Sequence, residues 1–216
     1  PADPFRAVGA RLWAGRSVVD LFAWLRNRPD DPVVHVSHPR SNNGKGYFSQ
    51  IKMDPVSGTA IGMSGGITGL VPPGTYSTLA EDFDALEVND ELADPALLEP
   101  GADAMLRQLA DTRPTAIPTM VDWFSLLNHG HHVTALGNSD SHDPNDGSGW
   151  PRNHLEVADD RPGRFTSRDI RTALRTQRVL VSNGLLVVPR VAGELRLGRQ
   201  DPVASQGPSQ RVDVTL

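Results

Sequence analysis

Three short runs of aliphatic and β-branched residues, Pro32 to Pro39, Phe83 to Asn89 and Val133 to Gly137, each end in polar residues, and stretches with helical spacing lie between them. This alternation constrains the fold more than any other feature of the chain. Strands that alternate with helices pack as a parallel sheet, in an α/β barrel or a doubly wound fold, and such folds gather polar side chains at the C-terminal edge of the sheet. The first helix is expected over about 17–28, where Val18, Leu21, Phe22 and Leu25 share a face, Ser17 is placed to cap and Pro29 follows the end. Further helices are expected over 102–110, 119–128 and 167–176. Arg40 to Thr78 is rich in Gly, Ser, Asn and Pro and reads as a long loop with room for one hairpin. After Asn183-Gly184 the pattern changes to β-like runs at 185–191 and 211–216, which predicts a domain over 1–183 followed by a small β-rich appendage over 184–216. The last run stops without a turn or tail, as a cut C-terminus would.

With 216 residues, 38% of them hydrophobic, the chain can bury one substantial core, alone or with a small module. A net charge of −5 gives no broad positive field for a nucleic-acid backbone or an anionic membrane, so phosphate chemistry here has to use local charges or metal ions. The absence of cysteine excludes disulfides, thiolate zinc sites and cysteine nucleophiles. His, Asp and Glu are the remaining metal ligands. No apolar run approaches the roughly 20 residues that span a bilayer, so no membrane partner is expected. Nothing in the chain fixes its compartment, and a chain that starts at Pro1 rather than Met is expected to have lost a leader or a longer segment.

Asp140 and His142 stand two apart just past a strand, so in extended backbone both leave one face and can offer a carboxylate oxygen and an imidazole nitrogen to one ion. Taken alone, residues 138–141 read equally well as a turn rich in local hydrogen bonds. His38, at the end of another strand, shifts the balance, because neighbouring strand ends would then supply three convergent ligands. His35, three residues earlier, is expected to point to the opposite face as a core histidine. The cluster His129-Gly130-His131-His132 is expected to be a surface turn at a helix end.

Ser37-His38-Pro39-Arg40, Phe83-Asp84-Ala85-Leu86-Glu87-Val88-Asn89 and Leu136-Gly137-Asn138-Ser139-Asp140-Ser141-His142 resemble, in order, three motifs of the polymerase and histidinol phosphatase (PHP) superfamily. The resemblance extends to Asp122-Trp123-Phe124, to Gly149-Trp150-Pro151-Arg152-Asn153 and to Ser182-Asn183-Gly184, and is closest to the carbaryl-hydrolase-like branch. It implies the C-terminal part of a distorted TIM-like (β/α)7 barrel, two or three divalent ions (Zn, Mn or Fe), and a metal-dependent hydrolase, usually a phosphoesterase. Its substrate would be a small phosphorylated or ester compound. On the matching positions, His38, Asp140 and His142 become metal ligands, with Asp140 and His142 at the catalytic centre. Glu87 either ligates or closes a strand end by hydrogen bonding, and Arg40 and Arg152 become candidates for substrate phosphate. The opening His-x-His pair of the family has no counterpart before His38, so a separate N-terminal segment is expected to complete the barrel and the ligand set.

Three other readings compete. Gly62-Met63-Ser64-Gly65-Gly66 fits the nucleophile elbow of serine hydrolases, but Gly69, Pro72 and Pro73 deny it the helix that must follow. A carbamate or carboxylic ester could use the same metal-activated water as a phosphoester. A PHP-derived domain that had lost ligands could persist as a non-catalytic binding module.

Overall fold

In chain order the computed structural model has helix α1 (Val18–Arg26), strand β1 (His35–Val36), a one-turn helix α2 (Tyr47–Gln50), strands β2 (Met53–Asp54), β3 (Thr59–Ala60) and β4 (Ala85–Glu87), and helices α3 (Asp103–Thr112) and α4 (Thr119–Asn128). Strands β5 (Thr134–Leu136) and β6 (Arg152–Leu155), helix α5 (Ser167–Arg175), and strands β7 (Val179–Ser182), β8 (Val188–Val191), β9 (Glu194–Leu195) and β10 (Val212–Thr215) follow. The structure describes residues 18–41, 46–61, 79–88, 95–145, 147–184, 188–191, 194–195 and 212–215. Ser17, Lys45, Asn89 and the Gly62–Gly66 segment with Ser64 lie outside the described residues.

The fold is mixed α/β. β1, β4 and β5 form a parallel sheet in the order β1-β4-β5, with His35 beside Ala85, and Glu87 beside Leu136. The period of two sorts the side chains by face. Val36, Leu86 and Ala135 face the helices, where Val34, Val36 and Leu86 are buried with Phe22 of α1, Phe48 of α2 and Leu126 of α4. His35, Ala85, Glu87, Thr134 and Leu136 share the other face. Phe22 meets Phe83 edge-on at 6.0 Å and Tyr47 at 6.1 Å, an arrangement that aromatic quadrupoles favour.

Among the described residues the strands do not close a barrel. β6 and β7 pair antiparallel, with Asn153 beside Val181, and β2 and β3 form the hairpin for which the long loop left room. β8, β9 and β10 form a separate antiparallel sheet in the order β10-β8-β9, on the stretch expected to be a β-rich appendage. α5 starts with a reciprocal capping box between Thr166 and Asp169, which satisfies two of the amide groups that a helix start leaves open.

Arginine–carboxylate pairs tie the N-terminal edge of the parallel sheet to α1 and α5. Asp84, just before β4, accepts bonds from the Val34 amide at 2.8 Å and Arg26 at 2.7 Å, with Arg175 at 3.3 Å. Arg175 also reaches Asp31 at 2.7 Å and the Pro32 carbonyl at 2.9 Å, so the last turn of α5 is bolted to the entry of β1. That hydrogen bond from Arg175 holds the Asp31 carboxyl below the usual aspartate range.

Candidate functional site

The C-terminal edge of the same sheet carries the residues singled out by spacing, His38, Asp140 and His142, together with Glu87 of the motif resemblance. Glu87 ends β4 and is buried, 5% exposed. Its Oε2 accepts the His38 backbone N–H at 2.6 Å and lies 3.3 Å from His38 Nδ1, while its Oε1 accepts Asn138 Nδ2 at 3.1 Å. One carboxylate thereby joins the ends of all three parallel strands. His38 has φ 47° and Asp140 φ 48°, both in the left-handed region that non-glycine residues enter at a cost and that clusters at functional sites. For His38 the turn swings the side chain back over Glu87, which spacing counted along an extended strand does not anticipate.

His38 Nε2 lies 3.5 Å from Asp140 Oδ1, and His142 Nε2 lies 3.9 Å from the same oxygen. Both distances exceed those of a hydrogen bond. His142 Nδ1 is hydrogen-bonded to the Asp140 carbonyl oxygen, and His38 Nδ1 lies 3.3 Å from a Glu87 oxygen, so both rings turn Nε2 toward Asp140. In a neutral ring with its proton on Nδ1, that Nε2 carries the lone pair a cation would take. Ligands about 2.1 Å from an ion lie about 3.0 to 3.5 Å from one another across it, so the His38–Asp140 spacing suits a shared ion, and His142, with its side chain 77% exposed, has room to draw in. The donor set of imidazole nitrogen and carboxylate oxygen fits Zn, Mn or Fe. Among the described residues no group of three or more His, Asp or Glu side chains is placed to hold a metal ion, His38, Asp140 and His142 included.

A clamp from β6 fixes the strand end that bears Asp140. The side-chain amide of Asn153 donates to the Gly137 carbonyl at 2.8 Å and accepts the Gly137 N–H at 2.9 Å, imitating a strand partner, and donates to Asn138 Oδ1 at 3.2 Å. Gly137 is required there, since a Cβ would lie 2.4 Å from Val181 Cγ1 and 3.1 Å from Pro151. Gly46 plays the matching part beside His38, because a Cβ would lie 2.2 Å from the His38 carbonyl oxygen. Asn153 and Asn138 were missed as site residues; the signal available was two carboxamides flanking the Asp140 motif and ending the Gly149–Asn153 motif.

Two expectations need correction. Arg40 was placed at the substrate, but its side chain is 2% exposed and spans the core. Its Nε and Nη2 bond Asp122 at 2.8 and 2.7 Å, and its remaining donors reach the Met53 carbonyl at 2.6 Å and the Pro114 carbonyl at 3.1 Å. A guanidinium with four of its five N–H groups bonded to a fully buried carboxylate and two carbonyls holds elements together and presents no free fork to a phosphate. His35 was expected opposite the site, yet the register puts it on the face of Glu87, with Nδ1 3.2 Å from Ser37 Oγ and a buried Nε2 that has no hydrogen-bond partner. Burial holds its imidazole below the ordinary histidine value; Glu87 opposes this and His38 adds to it. Arg152 is exposed on the clamp strand, its Nε bonded to the Gly149 carbonyl at 2.8 Å. His129 caps the end of α4 by bonding the Ser125 carbonyl at 2.8 Å, and His131 pairs with Glu81 at 3.2 Å, as histidines of a surface turn do. No family model, characterised protein or solved structure matches this chain.

Proposed function

We propose that the chain is the C-terminal part of a metal-dependent hydrolase of the PHP type, with phosphoesters as substrates, and that His38 Nε2, Asp140 and His142 Nε2 hold a divalent ion in common. The observation that carries this is the approach of two imidazole Nε2 atoms to one carboxylate oxygen, with His142 Nδ1 hydrogen-bonded and His38 Nδ1 turned away toward Glu87 at 3.3 Å. When bound, such an ion lowers the pKa of a water molecule and neutralises charge on the substrate oxygens.

The residues of the chain supply the frame for that chemistry. Glu87 and Asn153 hold the strand ends in register, Asp140 brings the negative charge that draws a cation to the edge, and Arg152 offers a cationic side chain one residue from the clamp for a phosphoryl oxygen. The ordered motifs support a phosphoester in preference to a carbamate or carboxylic ester. The same motifs support reading the open parallel sheet as part of a distorted (β/α)7 barrel. Three donors leave a shell incomplete, so a second and third ion, and the rest of the first shell, require donors beyond these residues.

The test is calorimetric titration with Mn and with Zn, paired with turnover of a phosphomonoester and a phosphodiester. This chain alone is expected to bind either metal weakly and to turn over slowly or not at all, and addition of the segment that completes the barrel is expected to raise metal affinity and phosphate release together. Failure of both metals to bind would remove the hydrolase reading and leave a binding module.

A further inference from the structure

We infer that Glu87 is a positioning residue that acts through His38: it fixes the tautomer and the direction of the imidazole and does not itself ligate a metal. The inference rests on the proposed role of His38 Nε2 only for its effect on metal affinity. The tautomer argument needs only the closer approach of Glu87, 3.3 Å from Nδ1 against 3.5 Å from Asp140 to Nε2.

Glu87 is spent on the protein from both oxygens. Oε2 takes the His38 backbone N–H at 2.6 Å, which pins the left-handed turn at that residue, and stands 3.3 Å from Nδ1 of the same side chain. Oε1 takes the Asn138 amide at 3.1 Å. The carboxylate is 5% exposed, so solvent has little access to its remaining lone pairs. An anionic oxygen facing Nδ1 favours the proton there and leaves the Nε2 lone pair on the side of Asp140. This is the carboxylate–histidine relation by which outer groups orient metal-binding imidazoles and raise their basicity. It also explains the burial: a ligand must reach the open edge, whereas a residue that aims a ligand belongs beneath it. His35 and Asn138 border the same carboxylate from β1 and β5.

Nitrogen-detected NMR of the metal-free protein, above the titration range of histidine, reads the tautomer directly. Wild type is expected to show His38 protonated at Nδ1. In Glu87→Leu the proton is expected to move to Nε2, and Mn or Zn affinity to fall by about 10- to 100-fold, the usual cost of losing an outer-shell partner. Glu87→Gln keeps one oxygen acceptor and is expected to restore the wild-type tautomer and most of the affinity. The inference is overturned if wild-type His38 carries its proton on Nε2, if Glu87→Leu leaves tautomer and affinity unchanged, or if Glu87→Gln loses as much affinity as Glu87→Leu, as a direct ligand would. Should Glu87→Leu not fold, the wild-type tautomer and the Gln variant still decide. A wild-type protein that binds no metal but shows the Glu87-dependent tautomer would sink the metal reading and leave this one standing.

Discussion

The two edges of the parallel sheet are built from similar charged side chains and put to opposite ends. At the N-terminal edge every carboxylate in the network finds an arginine: Arg26 with Asp82 and Asp84 at 2.6 and 2.7 Å, and Arg175 with Asp31 at 2.7 Å. At the C-terminal edge the groups are imidazoles and carboxylates, and the approaches to Asp140 are 3.5 and 3.9 Å. Arginine is always charged and presents a planar fork that matches a carboxylate, so a pair closes on itself and leaves nothing to bind. Imidazole offers one donor and one acceptor, and once the donor is spent on the protein the acceptor is left for something else. The lower edge is a finished bolt, and the upper edge is where we propose that a cation binds.

The largest effect is expected between the edges, at the residue whose assignment the structure reversed. In Arg40→Leu the fully buried Asp122 loses its arginine, and unfolding in urea should show a loss of about 3 to 5 kcal/mol, the cost of breaking a buried charge pair. If Arg40 served substrate instead, the variant would keep its stability and lose only turnover. Asp140→Asn comes next and behaves in reverse. Removing the charge that the two histidines face should cut metal-dependent hydrolysis by at least about 100-fold, about 2.7 kcal/mol in the barrier, while thermal unfolding stays unchanged or rises. Hydrolysis that survives in Asp140→Asn and disappears in Ser64→Ala would point to a serine nucleophile.

Asp84→Asn is the matching change at the lower edge. The side chain is 11% exposed and bonds the Val34 amide as well as arginine, so a loss of about 2 kcal/mol in stability is expected, with metal affinity unchanged in the folded protein. A fall in metal affinity in that variant would show that the two edges are coupled through the short strands between them, and the contrast drawn above would fail.

Most of the frame was legible in the sequence, because period and punctuation are local signals. α4 (Thr119–Asn128) occupies the expected span, and α1 and α5 fall within theirs. The strands shrink to two or three residues where the chain leaves extended geometry, as at His38. β6 was not read as a strand, since Arg152-Asn153-His154-Leu155 has little strand patterning and owes its conformation to pairing with β7. At the site, spacing singled out His38, Asp140 and His142, and the motif resemblance added Glu87; the fold brings all four to one sheet edge. It could not show that Arg40, two residues from His38, turns inward to Asp122, because that partner is 82 residues away. Nor could it place His35, whose face depends on the register with β4.

His35 gives the smallest effect and the closest test of where the upper edge ends. Its folded-state pKa lies below the ordinary value of 6.5, with burial the largest cause. In the pH range just below 6.5 the unfolded chain therefore binds a proton at this residue that the folded chain does not. Stability from this group is present above pH 6.5 and is lost as pH falls below it; above 6.5 both states are neutral and it contributes no slope. One proton bounds the slope at about 1.4 kcal/mol per pH unit, and the loss between pH 7 and pH 5.5 is expected to lie below that bound. Urea midpoints for wild type and His35→Leu across that range isolate the term, since the other histidines are common to both proteins. The wild-type curve should fall more steeply toward acid, and the leucine variant, free of a buried nitrogen without a partner, should match or exceed it in stability at low pH. Parallel curves would mean that His35 is solvated, and that the buried side of the Glu87 carboxylate is wetter than its 5% exposure implies.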